Sequence, residues 1–227
     1  AIAPVVQASE RQKQFITDAS HELKTPITVI ATSLKVLEME VGQQKWIDKA
    51  ESQIEKLTQL VSELVTLSRM DEEASPLQMA DFPVSDALTE TAESFRDFAA
   101  SAGHTLDVRV TPGLHYCGDE YAIRQLVSIL LDNAVKYAAP EASTVFSLEK
   151  GRHGVVIRTE NPCDPLDTAA LGQLFDRFYR ADPARSGETG GFGIGLAIAR
   201  SIAEGHHGTI RAESPDGRTV IFTAELR

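Results

Sequence analysis

The chain has 227 residues, of which 42% are apolar and 24% are charged, a balance ordinary for a globular protein and unlike that of a disordered, collagen-like or low-complexity chain. Its 22 basic and 33 acidic residues give a net charge of −11, which disfavours a general nucleic-acid binder, because such proteins need a basic face. The sequence contains no run of about 18 apolar residues to span a bilayer, and two cysteines make neither a disulfide framework nor a four-ligand zinc site.

The first residues carry no charged region followed by an apolar stretch, so they do not predict a signal peptide. The missing initiator Met is typical of a fragment or a processed chain. The low cysteine content favours a reducing, cytosolic compartment.

The first 75 residues are dominated by helical periodicity. Residues 9–39 predict one long helix with a near-heptad seam, and residues 43–73 predict a second after a break at Val41 and Gly42. Because such an αα-hairpin cannot cover its own apolar stripe, we expect homodimerisation through residues 9–73 into a four-helix bundle. The two seams are Phe15, Ala19, Leu23, Ile27, Ile30, Leu34 and Leu37, and Trp46, Ala50, Ile54, Leu57, Val61, Leu64 and Ser68.

The helical periodicity ends near residue 75, where an acidic segment is followed by Ser-Pro. We therefore predict a first domain over 1–75, a linker over 76–81 and an α+β domain over 82–227, with helices packed on a mixed sheet. The predicted helices are 83–102, 119–137, 171–178 and 196–204, the predicted strands are 105–110, 145–150, 154–159, 209–212 and 219–226, and 182–191 is a predicted mobile loop.

The segment SHELKTP carries the first candidate chemistry. His21 lies roughly 200° around the helix from the seam residues that flank it, on the solvent side. Glu22 can orient its imidazole and accept its proton, which leaves a nitrogen nucleophile for phosphorus. Thr25, one turn later, can position a water, and Pro26 bends the helix. Taken alone, His21 fits an exposed surface histidine beside a proline kink at least as well.

Two further motifs suit a phosphorylated ligand. Asn133 and Lys136 share one helix face and offer an amide oxygen for Mg²⁺ and an ammonium for phosphate, although ordinary helix-surface polarity also explains them. The glycine run GGFGIGL leads directly into a helix whose free N–H groups suit phosphate, although a flexible glycine hinge also explains it. This run follows no predicted strand of a βαβ unit and lacks GK[ST], so it is neither a Rossmann fingerprint nor a P-loop.

Taken together and in this order, these motifs resemble those of bacterial two-component sensor histidine kinases. FITDASHELKTPI resembles the H box, LLDNAVKY the N box, LFDRFYRAD the F box and GGFGIGLAIAR the G2 box, and the likeness extends over residues 9–227. The resemblance implies a dimerisation and phosphoacceptor hairpin followed by the α/β sandwich ATPase fold shared with gyrase, Hsp90 and MutL.

The resemblance also implies roles and cofactors. His21 would accept the γ-phosphoryl group of ATP, Glu22 would be the general base and Thr25 would support phosphatase action on a response regulator, the partner whose aspartate receives the phosphoryl group. ATP and Mg²⁺ are the implied cofactors, with Asn133 as the metal ligand. The chain would be the cytoplasmic portion of a membrane sensor whose membrane segments lie upstream. The implied nucleotide-binding residues are Asn133, Lys136, Tyr137, Asn161, Tyr179, Arg180, Gly191, Phe192, Gly193, Ile194, Gly195 and Leu196.

The adenine-binding G1 box departs from the family pattern. Asn161 stands where that box usually has Asp, and Cys163 and Pro165 stand where it has glycines. Asn161 can still accept a hydrogen bond from an adenine amino group, which predicts weakened but retained nucleotide binding, with Asp164 as the alternative adenine reader. Ile129 also stands where the family often has a polar residue. The alternative to an active kinase is a phosphatase-dominant or non-catalytic signalling scaffold.

Overall fold

The computed structural model describes residues 23, 26–42, 44–70, 77–165, 168–179 and 193–227. The chain divides into two compact units, Ala1–Ser75 and Pro76–Arg227. Within the described residues, no helix is both long enough and apolar enough to cross a membrane. The predicted loop 182–191 lies outside them.

The first unit is a pair of helices, α1 over residues 26–41 and α2 over Lys45–Met70. Gly42 has φ of 74°, and its N–H donates to the carbonyl of Glu38 at 2.8 Å. A left-handed residue of this kind satisfies a terminal carbonyl and ends a helix, and glycine adopts it without a Cβ penalty. The predicted break therefore falls at Gly42.

The described residues of the first predicted seam differ in burial. Ile27 is buried within the hairpin, whereas Leu23, Ile30 and Leu37, at seven-residue spacing, are exposed. These exposed residues form an apolar stripe beside the buried face, and the described part of the chain leaves that stripe open to solvent.

The seam predicted for α2 starts at the wrong residue. Trp46 is 74% exposed, and Ile47 is buried instead. Ile47, Ile54 and Val61 are spaced by seven residues, so their side chains lie on nearly the same face of α2. Trp46 lies about 100° around the helix from Ile47 and therefore points away from that face. The side chains of Leu64 and Ser68 lie outside the described part of the chain.

The second unit combines helices with two sheets. The strands are β1 Ala80–Phe82, β2 Thr105–Val110, β3 Tyr116–Gly118, β4 Ser143–Lys150, β5 Val155–Pro162, β6 Thr209–Glu213 and β7 Thr219–Leu226. The five-stranded sheet has the order β2-β4-β5-β7-β6, in which β2 and β4 are parallel and the other neighbours antiparallel, and β1 pairs with β3 separately. The helices are α3 Val84–Glu93, α4 Arg96–Ser101, α5 Glu120–Lys136 and α6 Gly195–Gly205, with a 3-10 helix over Thr168–Phe175.

The core lies between this sheet and α3, α5 and α6. One side chain of every two along β4 and β5 is buried against the helices, as strand geometry requires. A helical region followed by an α/β sandwich domain confirms the predicted fold class, and the dimeric bundle stays a prediction.

Three details of the second unit differ from the predictions. The linker assigned to 76–81 is partly structured, because Ala80 and Asp81 belong to β1 and pair with β3. The helix predicted over 83–102 is broken at residues 94–95, where the Ser94 hydroxyl donates to the carbonyl of Thr91 at 2.7 Å and competes with helix continuation. The helix predicted over 171–178 is the 3-10 helix, held on the sheet by an edge-to-face contact between Phe175 and Phe222.

Candidate functional site

The last turn of α5 carries three of the predicted binding residues. Asn133 is half-buried, and its Nδ2 donates to the carbonyl of Ile129 at 2.8 Å, so its Oδ1 is the atom suited to a metal ion. The ammonium of Lys136 forms an ion pair with Asp132 at 2.7 Å. Tyr137 is exposed and closes the helix through its N–H to the carbonyl of Asn133.

The end of β5 lies beside this turn. The N–H of Ala139 donates to the carbonyl of Pro162 at 2.9 Å and so joins the segment after α5 to the end of β5. Asn161 is fully buried there, and its Nδ2 donates to the same carbonyl at 3.3 Å. Its Oδ1 is buried and has no hydrogen-bond partner among the described residues, so its capacity to accept a hydrogen bond is unsatisfied there.

The residues after Asn161 are held differently. Cys163 is buried, and its N–H donates to the carbonyl of Arg218 at 2.7 Å. Burial raises the pKa of the Cys163 thiol, and the charges of Asp216 and Asp164 raise it further. Asp164 is exposed, so its carboxylate lacks the buried environment of the Asn161 amide.

The glycine motif is packed tightly against the segment that contains Tyr179. The N–H of Phe178 donates to the carbonyl of Gly193 at 2.8 Å, and Gly193 has φ of 73°. A Cβ at Gly193 would lie 2.6 Å from the Tyr179 carbonyl oxygen. Glycine is therefore required at position 193 for two reasons, the positive backbone angle and the close approach of the Tyr179 carbonyl. Ile194, which follows, is completely buried and anchors the motif.

Helix α6 starts beside α5. A Cβ at Gly195 would lie 3.4 Å from Cγ2 of Ile129, one turn before Asn133. Leu196 is half-buried in the first turn of α6, and that turn carries no acidic residue. The N–H groups that a helix N-terminus leaves free and the positive end of the helix dipole therefore meet no acidic side chain of that turn, an arrangement suited to phosphate.

These contacts bring four predicted motifs to one region of the second unit. The region offers a buried acceptor for a base amino group, an amide oxygen for a metal ion and a helix N-terminus for phosphate. Within the described chain, no group of three or more His, Cys, Asp or Glu residues could hold a metal ion. A magnesium ion here would take most of its ligands from phosphates and water, as this ion commonly does. The predicted residues that lie outside the described part of the chain are His21, Glu22, Thr25, Arg180, Gly191 and Phe192.

Sequence reasoning missed two hydroxyl groups near this region. Thr159 and Thr144 are completely buried, and neither hydroxyl has a hydrogen-bond partner among the described residues. The sequence of β5 contains a pattern that could have identified one of them. Every second side chain of this strand is buried, and the buried positions hold Val155 and Ile157 followed by Thr159 and Asn161. Two polar residues at consecutive inward positions of an otherwise apolar face indicate a site rather than a packed core.

Family models match both units. Residues 11–73 match the His Kinase A (phospho-acceptor) domain, and residues 118–227 match the histidine kinase-, DNA gyrase B- and HSP90-like ATPase.

Curated relatives are sensor proteins. The chain is 33% identical over 211 residues to the sensor protein DltS of Streptococcus agalactiae, covering 93% of this chain and 53% of the relative. It is 33% identical over 220 residues to the sensor histidine kinase CusS of Escherichia coli, covering 95% of this chain and 45% of the relative. The chain thus spans about half the length of the curated relatives it matches.

Solved structures share the fold. Full-length ShkA in complex with AMPPNP superposes with a TM-score of 0.79 at 21% identity, covering 94% of this chain and 45% of that one. The histidine kinase AdeS of Acinetobacter baumannii superposes with a TM-score of 0.67 at 24% identity, covering 91% of this chain and 96% of that one.

Proposed function

This chain belongs to the two-component sensor histidine kinases, and we propose that it autophosphorylates His21 from ATP and passes the phosphoryl group to an aspartate of a response regulator. The observation that carries the proposal is the convergence of the Asn133 turn, the buried Asn161 acceptor and the N-terminus of α6. A nucleoside triphosphate needs these three elements for its metal, its base and its phosphates.

In the proposed reaction, a nitrogen of His21 attacks the γ-phosphorus. The new N–P bond forms as the bond between that phosphorus and the bridging oxygen breaks, and ADP leaves. Glu22 accepts the imidazole proton. The protein contributes mainly positioning and charge neutralisation, because phosphoryl transfer has a loose transition state. A bound Mg²⁺ would neutralise phosphate charge beside Asn133.

Lys136 and Arg180 are the proposed cationic partners of the phosphates. The side chains of the ion pair between Lys136 and Asp132 are 23% and 36% exposed and lie one helical turn apart, so the ammonium is partly solvated and a phosphate oxygen would replace the Asp132 carboxylate as its partner. Tyr137 and Tyr179 would flank the nucleotide. The glycines Gly191 and Gly193 would let the backbone approach the phosphates, with Phe192, Ile194, Gly195 and Leu196 completing the turn into α6.

For the base, we propose Asn161 rather than Asp164 as the adenine reader. Asn161 is buried with a free acceptor oxygen, whereas Asp164 is exposed. The amide replaces a charge-assisted hydrogen bond by a neutral one, which weakens binding without removing the acceptor.

We further propose a homodimer through residues 9–73. The stripe formed by Leu23, Ile30 and Leu37 is exposed in one chain, and a second hairpin would cover it in a four-helix bundle. The response regulator is the second proposed partner, and Thr25 is the proposed support for its dephosphorylation. We place the chain on the cytoplasmic side of a sensor whose membrane segments precede it.

A second candidate is a phosphatase-dominant or non-catalytic scaffold. The altered G1 residues Asn161, Cys163 and Pro165 favour it, because a neutral amide in place of a carboxylate is expected to lower the affinity for the nucleotide. The retained acceptor at Asn161 favours the kinase.

The deciding experiment is incubation with γ-labelled ATP and Mg²⁺, in which the chain is compared with its His21→Gln variant. Label that is acid-labile, alkali-stable and absent from the variant supports the kinase. Absence of label from a protein that binds ADP in calorimetry supports the phosphatase-dominant candidate. Absence of both label and binding supports the scaffold.

A further inference from the structure

Three buried polar side chains lie together on the helix-facing side of β4 and β5. Thr144, Thr159 and Asn161 are each 0% exposed. One oxygen of each has no hydrogen-bond partner within the described part of the chain: the hydroxyls of the two threonines and Oδ1 of Asn161. Buried polar atoms are nearly always paired, so three adjacent exceptions call for an explanation.

The strand register makes the three side chains neighbours. Thr159 and Asn161 are two residues apart on β5 and therefore share a face. Val145 pairs with Glu160, so Thr144 lies one step further along β4, across from Asn161. On the other side, Asn161 pairs with Val220 and Thr159 pairs with Phe222 of β7. Those two side chains have no hydroxyl or amide, so among the strand neighbours of Asn161 on this face the side-chain hydrogen-bond donors are Thr144 and Thr159.

A packed core gains nothing from these hydroxyls. Valine has nearly the same shape as threonine and would fill both positions without an unpaired hydroxyl, which is unfavourable when buried. The oxygens are instead arranged for a ligand that brings both a donor and an acceptor.

We propose that Thr159 is a base-specificity residue, whose hydroxyl donates a hydrogen bond to ring nitrogen N1 of adenine while Oδ1 of Asn161 accepts from the adjacent 6-amino group. This inference rests on the proposed nucleotide site. The donor and the acceptor then match the two neighbouring polar atoms on one edge of the base.

The same arrangement excludes guanine. Nδ2 of Asn161 donates to the carbonyl of Pro162, and that bond turns Oδ1 toward the base. The 6-oxo group of guanine would set one acceptor against another, and turning the amide over would break the bond to Pro162. In this proposal, the neutral amide of Asn161 and the hydroxyl of Thr159 together select adenine over guanine.

The test uses ADP and 1-deaza-ADP, in which N1 is replaced by C–H. Calorimetric binding to the full chain is measured for wild type, Thr159→Val and Thr223→Val. Thr223 is a matched control, because it is also a buried threonine in the sheet but alternates to the opposite face from Phe222. We expect wild type and Thr223→Val to prefer ADP roughly fivefold, the value of one neutral hydrogen bond.

For Thr159→Val, we expect equal binding of the two nucleotides and a midpoint of thermal unfolding, without nucleotide, at or above that of wild type. Thr159→Ser, which keeps the hydroxyl, should keep the preference. Equal binding of the two nucleotides by wild type overturns the inference alone. A preference that survives in Thr159→Val, or that disappears in Thr144→Val instead, also overturns it. A wild type that binds neither nucleotide overturns the proposed function as well.

Discussion

Nε2 of His206 accepts a hydrogen bond from the backbone N–H of Asp119 at 3.0 Å, and its Nδ1 lies 2.8 Å from the carbonyl of Ile202. The carbonyl only accepts and the N–H only donates, so the two contacts match the imidazole tautomer that carries its proton on Nδ1. Asp119 in turn caps α5 by accepting from the N–H of Ala122 at 3.0 Å. One buried histidine thus joins the end of α6 to the start of α5, and the opposite ends of these helices form the candidate site.

Replacing His206 should destabilise the second unit strongly. His206→Ala removes both hydrogen bonds and leaves a cavity, so we expect the free energy of unfolding to fall by about 2–4 kcal/mol in urea denaturation. His207→Asn is the matched control, because His207 is exposed with φ of 55° and asparagine tolerates that angle. A loss in His206→Ala no larger than that of the control would contradict this role.

A comparison of alanine variants at Gly193 and Gly113 distinguishes the effect of an unfavourable backbone angle from the effect of a steric clash. Both have φ of 73°, but a Cβ at Gly193 would lie 2.6 Å from the carbonyl of Tyr179, whereas a Cβ at Gly113 meets nothing within 4 Å. Either alanine variant should lose about 1–2 kcal/mol of stability from the backbone angle. Only Gly193→Ala should displace the chain at Tyr179.

The proposed nucleotide site makes that difference measurable. We expect Gly193→Ala to bind ADP at least roughly tenfold more weakly than wild type, which corresponds to 1.4 kcal/mol or more, and Gly113→Ala to bind it normally, both measured by calorimetry. If the two variants bind ADP equally well, the close approach at Gly193 does not shape the site.

Local patterns predicted most of the helices and strands. The 17 residues of α5 have a continuous apolar face and an Asp N-cap, and β7 has a long apolar run; both were predicted within one or two residues. The pairing of β1 with β3 was missed, because three residues carry no periodicity and the partners are about 36 positions apart. Such pairing is decided by tertiary contacts that propensity does not contain.

The motifs of the candidate site were predictable from the sequence, but the buried polar cluster on the sheet was not. Asn133 and Gly193 stand in recognisable local patterns, so both could be singled out from the sequence. The grouping of Thr144 with Thr159 depends on the register of β4 against β5, which pairs residues about 15 positions apart. A one-residue slip would turn each side chain to the other face, so the cluster is visible only once the register is known.

A charge on the exposed stripe of α1 should break the proposed dimer. Ile30 and Val29 are 51% and 59% exposed in one chain. Ile30 lies about 60° around the helix from the buried Ile27, beside the hairpin core, whereas Val29 lies about 160° away on the opposite side. Ile30→Glu would bury an unpaired carboxylate in the dimer interface, and Val29→Glu would leave its carboxylate in water.

We expect Ile30→Glu to raise the dimer dissociation constant by roughly a hundredfold or more, about 2.7 kcal/mol, in sedimentation velocity. Val29→Glu should sediment as wild type does, and both variants should keep their helical circular dichroism. Dissociation in both variants, or in neither, would mean that the stripe of Leu23, Ile30 and Leu37 is not the interface.

The buried thiol of Cys163 should make stability fall in mild alkali. Burial raises its pKa in the folded chain, so between the ordinary thiol pKa and the raised one the folded state holds a proton that the unfolded state has released. Stability then decreases as pH rises through that window, and it is fully present below the ordinary value of about 8.5. The Tyr116 hydroxyl, whose pKa burial also raises, titrates at higher pH and does not contribute there.

Urea denaturation between about pH 7.5 and 9.5 measures this slope. Cys163→Ala should lose the alkaline decrease, and Cys117→Ala, which removes the exposed thiol, should keep it. Slopes are compared rather than absolute stabilities, because Cys163→Ala also removes buried sulfur and lowers stability at every pH. In alkylation of the native chain at pH 8, Cys117 should react faster than Cys163, since only the exposed thiol is accessible to the reagent. An alkaline slope that is unchanged in Cys163→Ala would assign the decrease to another group.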